Sequence, residues 1–195
     1  MSGKASRNPG KDFEDQFKKS LDDYKKEVEG WTHRLPDSPM SFNVQLQQMT
    51  RFTIENPFDY LGFFYPNLFG FELKSTIGTS FSIGKDNSKA EKKKMIKYHQ
   101  IEGLREIQSA KGGYGGFVFN FRSGEHRDED RTYYMNIEDF DKWLKSNNKS
   151  SINEKDVSFN GGILVQQEKI RVKYNFNIEK LINNIIIWCN RNKEK

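Results

Sequence analysis

Cysteine occurs once in this chain of 195 residues, at Cys189. That excludes an internal disulfide and any multi-cysteine zinc site, and it suits a reducing compartment. Histidine is almost as scarce: His33, His99 and His126 have no spacing that suggests a zinc site. No apolar run approaches the roughly 18–20 residues needed to cross a bilayer. The opening MSGKASRNPGKDFED holds no hydrophobic stretch of the kind a secretory signal uses. A soluble, cytoplasmic protein with no membrane partner is therefore expected. Neither a G-x-S-x-G elbow nor a P-loop is present. Gly112, Gly113, Gly115 and Gly116 follow a predicted helix and precede a predicted strand, the reverse of the order a phosphate-binding loop needs, and read as turn glycines. Covalent catalysis and nucleotide cofactors lose their support.

Hydrophobic residues make up only 34% of the chain, but aromatics make up 14%, including 16 Phe. Each Phe buries a large apolar area, so a core can form where Leu and Val are scarce. The length suits one domain over residues 1–195. The net charge of +5 is unevenly placed. Residues 85–111 hold eight basic against four acidic residues, and residues 167–195 hold seven against three, while 112–166 are acidic by seven against nine. Basic blocks of this kind suit a polyanion such as nucleic acid, the plainer alternative being a solvated lysine-rich surface.

Residues 1–10 read as a mobile basic arm. Phe13, Phe17, Leu21, Tyr24 and Val28 recur at steps of three and four, which predicts an amphipathic helix over 11–29, stopped by Gly30. Trp31 to Leu35 reads as a short strand. The polar, Gln-rich stretch of residues 36–56 lacks core periodicity and reads as a protrusion or irregular hairpin. Phe58–Tyr65 and Leu68–Lys74, parted by Pro66-Asn67, predict a β-hairpin. Residues 78–88 read as a loop and 90–110 as a helix burying Met95, Tyr98, Ile101, Leu104 and Ile107 or Gln108. Strands follow at Gly116–Phe121 and Arg131–Asn136, then a short helix over Ile137–Ser146. The alternation of Ile170, Val172, Tyr174 and Phe176 predicts a late strand, and Asn177 caps a last apolar helix. The fold class is α/β, with a central mixed sheet flanked by helices.

The remaining chemistry lies in carboxylates. Glu72 and Lys74 are two apart, so on a strand they share a face, and their apolar surroundings make a lone charge costly. If the hairpin closes around Pro66-Asn67, Asp59 on its first strand comes nearly opposite Lys74, with Glu72 within two residues. Two carboxylates and a lysine at one end of a sheet suit Mg²⁺, which prefers oxygen ligands completed by water. Such a centre can activate water and stabilise charge on a phosphate. The alternative is an ordinary structural ion pair.

These residues carry a resemblance. Asp59-Tyr60-Leu61-Gly62, Phe71-Glu72-Leu73-Lys74-Ser75, Tyr98-His99-Gln100, Gly112-Gly113 with Phe117–Phe121, and the opening Asn8-Pro9-Gly10-Lys11-Asp12-Phe13-Glu14 stand in the order found in RecU-type Holliday-junction resolvases. The resemblance implies a restriction-endonuclease-like fold, a homodimer, and cutting of four-way DNA junctions with Mg²⁺ or, in its place, Mn²⁺. It implies Asp59, Glu72 and the Leu73 carbonyl as metal ligands, Lys74 at the attacking water, and Glu14 and Gln100 completing the catalytic set. Residues 36–56 correspond to a stalk aimed at the junction centre. Lys4, Arg7 and Lys11 of the basic arm, Arg51 of the stalk, and Lys92, Lys93, Lys94 and Lys97 are the expected DNA contacts. A recombinase is a further candidate partner, and the nucleoid of a bacterium, or a bacterial virus encoding the protein, is the setting. The alternatives are a restriction-like nuclease acting on linear or branched duplexes, and a non-catalytic DNA-binding modulator of a recombinase.

Overall fold

The computed structural model describes residues 9–36, 40–43, 48–51, 55–171 and 173–193. Two aromatic runs make its centre. β5 (Asn67–Thr76) and β7 (Gly113–Phe121) pair in parallel, from Leu68 opposite Gly113 to Thr76 opposite Phe121. β4 (Tyr60–Phe64) runs antiparallel to β5, and β1 (Gly30–Arg34) antiparallel to β4. On the other side β8 (Arg131–Asn136) pairs with β7 and β10 (Ile163–Leu164) with β8, both antiparallel. The result is a mixed six-stranded sheet in the order β1-β4-β5-β7-β8-β10.

Helices cover both faces, as the α/β reading requires. α1 (Pro9–Glu27) and α5 (Ile178–Lys193) pack Phe13, Phe17, Leu21, Leu181 and Ile185 against Phe69 and Phe71. α2 (Tyr98–Ser109) and α3 (Ile137–Ser146) pack Ile101, Leu104, Phe140 and Trp143 against Phe117 and Phe119 on the opposite face. Phe17, Phe69, Phe71, Phe81, Phe117, Phe119, Phe121 and Phe140 are each less than 2% exposed. A fully buried Phe contributes roughly 1.5–3 kcal/mol, which offsets the shortage of aliphatic residues. No helix among the described residues is long and apolar enough to cross a membrane.

Several elements differ from expectation, each for a non-local reason. α1 begins at Pro9, so residues 9 and 10 belong to the helix rather than to the arm, and residues 1–8, with Lys4 and Arg7, lie outside the described residues. α2 starts at Tyr98 instead of residue 90 because Ile96, fully buried, is extended: its N–H donates to Ser82 at 2.9 Å and its carbonyl accepts from Gly84 at 2.8 Å. Met95 is correspondingly left 38% exposed. The expected loop at 78–88 contains β6 (Ser80–Ser82), which pairs with β9 (Ser151–Asn153) and buries Phe81 against Ile152. β9, α4 (Glu154–Phe159) and β10 fill a stretch for which the sequence suggested no element. The late strand is a hairpin of β11 (Gln167–Ile170) and β12 (Lys173–Phe176). Within residues 36–56, β2 (Met40–Asn43) and β3 (Gln48–Arg51) form a two-stranded antiparallel sheet of their own, Arg51 standing at its end opposite Met40.

The glycine run also departs from its turn reading. Only Gly112, at φ 76°, is conformationally demanding. A Cβ at Gly113 or Gly115 would come within 1.9 and 2.1 Å of the Ile107 and Leu104 carbonyl oxygens, so these glycines let α2 lie directly on β7. Gly103, inside α2, serves the same purpose toward Pro57: a Cβ there would meet Pro57 at 2.3 Å and its carbonyl oxygen at 2.8 Å. That contact seats the segment leading into Asp59. Gly103→Ala is therefore expected to lower stability by about 1–2 kcal/mol, overpacking outweighing the gain in helix propensity. The urea unfolding midpoint measures this, and an unchanged midpoint would show that Pro57 moves aside freely.

Candidate active site

β5 is buried on both faces where it carries its charges. Glu72 and Lys74 share the face toward α2, and Lys74 Nζ lies 2.7 Å from Glu72 Oε1. Gln100 Nε2 donates to the same oxygen at 2.6 Å. Gln100 is fixed by the helix it belongs to: at the third position of α2 its Oε1 accepts the Lys97 N–H at 3.0 Å, which satisfies a donor the helix start leaves open. With its oxygen so engaged, the amide nitrogen faces Glu72.

Two donors thus crowd Oε1, while Oε2 is buried without a hydrogen-bond partner. Glu72 is 1% exposed, and burial pushes its carboxyl up from 4.5 to about 8 despite the Lys74 ammonium; the negative charges of Asp59 and Glu14 add to the rise. A buried, unsatisfied carboxylate oxygen is costly, and it is the kind of atom a cation would relieve.

Asp59 lies just before β4 rather than on it. Tyr60 pairs with Phe71 and Phe64 with Asn67, so the two-residue turn is Tyr65-Pro66 and the register is shorter than expected by two. An even shift preserves every face but brings Asp59 opposite Glu72 instead of Lys74. Asp59 N–H donates to the Phe71 carbonyl at 3.1 Å, its own carbonyl accepts from Leu35 at 2.9 Å, and Oδ2 accepts the Leu73 N–H at 2.8 Å. N–H and C=O of one residue leave a strand on the same edge, so the Leu73 carbonyl emerges beside Asp59, past the end of β4.

Glu14, in the second turn of α1, pairs with Arg34 at the end of β1, Oε2 to Nη2 3.1 Å. Arg34 lies opposite Tyr60, the residue after Asp59. The fold therefore gathers Glu14, Asp59, Glu72, Leu73, Lys74 and Gln100 from α1, β5, α2 and the approach to β4. Arg34 was not singled out from sequence, and only its position at a strand end could have suggested it. Gly103 could have been found as an isolated glycine inside a helical pattern.

The donors available are hard oxygens: the Asp59 carboxylate, Glu72 Oε2 and the Leu73 carbonyl. Among the described residues no three His, Cys, Asp or Glu side chains cluster as a metal centre. Two carboxylates and a carbonyl leave the rest of a coordination shell to water, which is how Mg²⁺ is commonly held.

Five of the expected DNA contacts have described side chains. Lys11 is exposed on α1, one turn from Glu14. Lys92 and Lys93 lie exposed in a 3₁₀ turn (Glu91–Lys93), and Lys94 follows it. Lys97 caps α2 three residues before Gln100. Lys92 Nζ pairs with Glu55 at 2.7 Å, and Glu55 also approaches His99 Nδ1 at 3.4 Å, consistent with a packing role for that histidine.

A family model for recombination protein U (RecU) matches residues 8–180. The SPbeta prophage-derived protein YotM of Bacillus subtilis (strain 168) is 30% identical over 93% of this chain and 88% of the relative. Among solved structures, Archaeoglobus fulgidus Hjc, a Holliday junction resolvase from an archaeal hyperthermophile, aligns at a TM-score of 0.44 and 11% identity, over 77% of this chain and 94% of that one.

The raised Glu72 carboxyl has a consequence for stability. In the absence of divalent cations the fold favours the neutral acid over the carboxylate, and stability is lost as pH rises from 4.5 to about 8. Glu72→Gln should melt close to wild type at pH 4.5 and above it at pH 8.5, by a few kcal/mol at most. Parallel melting curves of the two proteins at both pH values would contradict this account of Glu72.

Proposed function

The chain belongs to the RecU family of recombination proteins, and from that premise we propose that it is a metal-dependent endonuclease that resolves four-way DNA junctions. The observation that carries this reading is the Glu72 carboxylate, buried with one oxygen bound twice and the other unmet. An isolated structural ion pair would have no reason to hold a carboxylate in that state.

Asp59, Glu72 and the Leu73 carbonyl are the residues that would hold Mg²⁺, with Mn²⁺ an acceptable substitute. When bound, the cation supplies positive charge against the scissile phosphate and acidifies water. The side chains of the protein do the rest. Gln100 and Lys74 fix the Glu72 carboxylate in one orientation, so that its second oxygen points to the ligand position without rearrangement. The Lys74 ammonium orients the attacking water and faces the charge that builds as the new P–O bond forms and the bond to the sugar oxygen breaks. Glu14 reaches the same region from α1, and its ion pair holds Arg34 beside it. Burial on both faces of β5 keeps bulk water from screening these charges.

Shape rather than base sequence sets selectivity, because lysines contact phosphates and carry no sequence information. Lys4, Arg7, Lys11, Arg51, Lys92, Lys93, Lys94 and Lys97 are assigned to the DNA backbone, and the hairpin within residues 36–56 to the open centre of the junction as a stalk. Two copies related by a twofold axis match the symmetry of the junction and make paired nicks. A recombinase is a candidate partner, and the prophage origin of the B. subtilis relative favours an enzyme encoded by a bacterial virus.

Incubation with a four-way junction and Mg²⁺ tests the reading. Wild type is expected to nick opposed strands, and Asp59→Ala, Glu72→Ala and Lys74→Ala to lose about 100-fold or more in rate. Equal cutting by all four proteins would sink the assignment, and stronger cutting of linear duplex would shift it to a restriction-like nuclease. Junction binding with no cutting under any ion would leave only a non-catalytic binder.

Mg²⁺ should also raise the melting temperature, since a ligand at 100 times its dissociation constant adds about 2.7 kcal/mol. Asp59→Asn should abolish that shift, and a shift that survives the substitution would place the cation elsewhere.

A further inference from the structure

The tip of the β11–β12 hairpin carries three exposed cations, Lys169, Arg171 and Lys173, around a half-exposed Ile170. None of the three joins an ion pair among the described residues. The contrast with α1 is sharp: there Lys18, Lys25 and Lys26 are each neutralised by Asp22 or Asp23 at 2.6–2.8 Å. Carboxylates lie nearby without pairing with them: Asp12 and Asp15 border one side of the hairpin and Glu129, Asp130 and Glu168 the other, while Lys169 sits over the Tyr174 ring at 5.9 Å. Cations outside ion pairs attract polyanions more than lysines already paired.

The backbone at the tip is also unusual. Ile170 pairs with Lys173, so the connection is two residues long and opens on Arg171, whose φ is 59°. Two-residue hairpin turns need positive φ there and usually take Gly, Asn or Asp. An arginine in that position sacrifices backbone ease and places a guanidinium at the apex.

The hairpin is tied to the body of the fold at its base and along its length. At its base Gln167 accepts from the Thr132 hydroxyl at 2.8 Å and donates to the Asp130 carbonyl at 2.7 Å. Along its length the Phe176 N–H donates to Ser20 Oγ at 3.0 Å, the Tyr174 N–H donates to Gln16, and the Phe176 ring meets Phe13 edge-on at 5.8 Å. Ile170 and Lys173 border the cleft that the hairpin makes with Asp12, Asp15 and Lys19 of α1. Glu14 belongs to these same turns but faces Arg34.

We propose that this hairpin tip is a DNA-backbone clamp: Lys169, Arg171 and Lys173 grip phosphates of the bound DNA. The assignment rests on the nuclease reading of the site, and it adds a contact surface separate from the lysines of residues 92–97.

Binding of a four-way junction and of a linear duplex of the same sequence, measured across a salt series in Ca²⁺, tests the clamp. Lys169→Ala/Arg171→Ala/Lys173→Ala is expected to bind at least tenfold more weakly at 0.1 M salt, with the slope of log affinity against log salt reduced by two to three. Lys155→Ala, an exposed lysine on α4, serves as the control and should bind as wild type. Arg171→Gly separates charge from structure: glycine suits the turn, so the melting temperature should hold or rise while affinity falls. A triple variant that binds both probes with wild-type affinity and salt slope overturns the clamp and leaves the nuclease reading intact. If wild type binds junction and duplex equally and the triple variant loses both, the clamp stands and junction selectivity falls. Wild type that binds neither probe refutes both.

Discussion

The interaction on which the site depends is the desolvation of Glu72. A carboxylate placed in the middle of a sheet, between aromatic layers, has lost nearly all its water and regains only part of that loss from Lys74 and Gln100. Both donors reach the same oxygen, and the other is left to whatever binds there. The surrounding structure keeps that imbalance from relaxing. Phe69, Phe71 and Leu73 anchor β5 from one side, and α2 lies on the other, with Ile107 against Gly70 of β5 and its backbone against Gly113 and Gly115 of β7. A looser sheet would let the side chain turn to solvent, and the stored electrostatic cost would vanish with the site.

The same helix contact organises the second carboxylate. Gly103 admits Pro57, Pro57 leads into Asp59, and Asp59 continues the β4–β5 pairing by offering a side-chain oxygen to the Leu73 N–H where the strand has ended. One side chain thereby closes the edge of a sheet and stands beside a buried acid. Gln100 likewise caps α2 and steadies Glu72. Structure and chemistry share these residues, so a single local change disturbs both.

Charge is unevenly divided over the fold. Among the described residues the centre gathers Glu14, Asp59 and Glu72 with Lys74 and Arg34. Lys93, Lys94, Lys97 and the three cations of the β11–β12 tip enter no ion pair among the described residues, while Lys92 pairs with Glu55. Many other lysines and arginines are spent in ion pairs, such as Arg105 with Asp141 and Lys149 with Asp156, and add little long-range field. The net charge of +5 is thus a sum over groups in very different states, some paired, some exposed and one buried.

Much of this was legible from residue spacing. The steps of Phe13, Phe17 and Leu21 marked α1, strict boundaries marked β8 and α3, and the two-residue separation of Glu72 and Lys74 put both charges on one face. These are local properties, governed by helical and strand periodicity. Other features depended on residues far apart in sequence. Ile96 stays extended because Ser82 and Gly84 claim its backbone, which delays α2 by eight residues against its lysine-rich pattern. Phe81 belongs to a strand only because Ser151–Asn153 lies beside it, and Gly113 and Gly115 answer to the backbone of α2 rather than to any turn. By itself the sequence determined which residues could do chemistry and on which face each would lie, since the period of the chain decides that. Tertiary structure alone decided that Asp59 meets Glu72, that Arg34 joins Glu14, and that one Glu72 oxygen is buried unmet, because register, close packing and desolvation arise only when distant segments exclude water together.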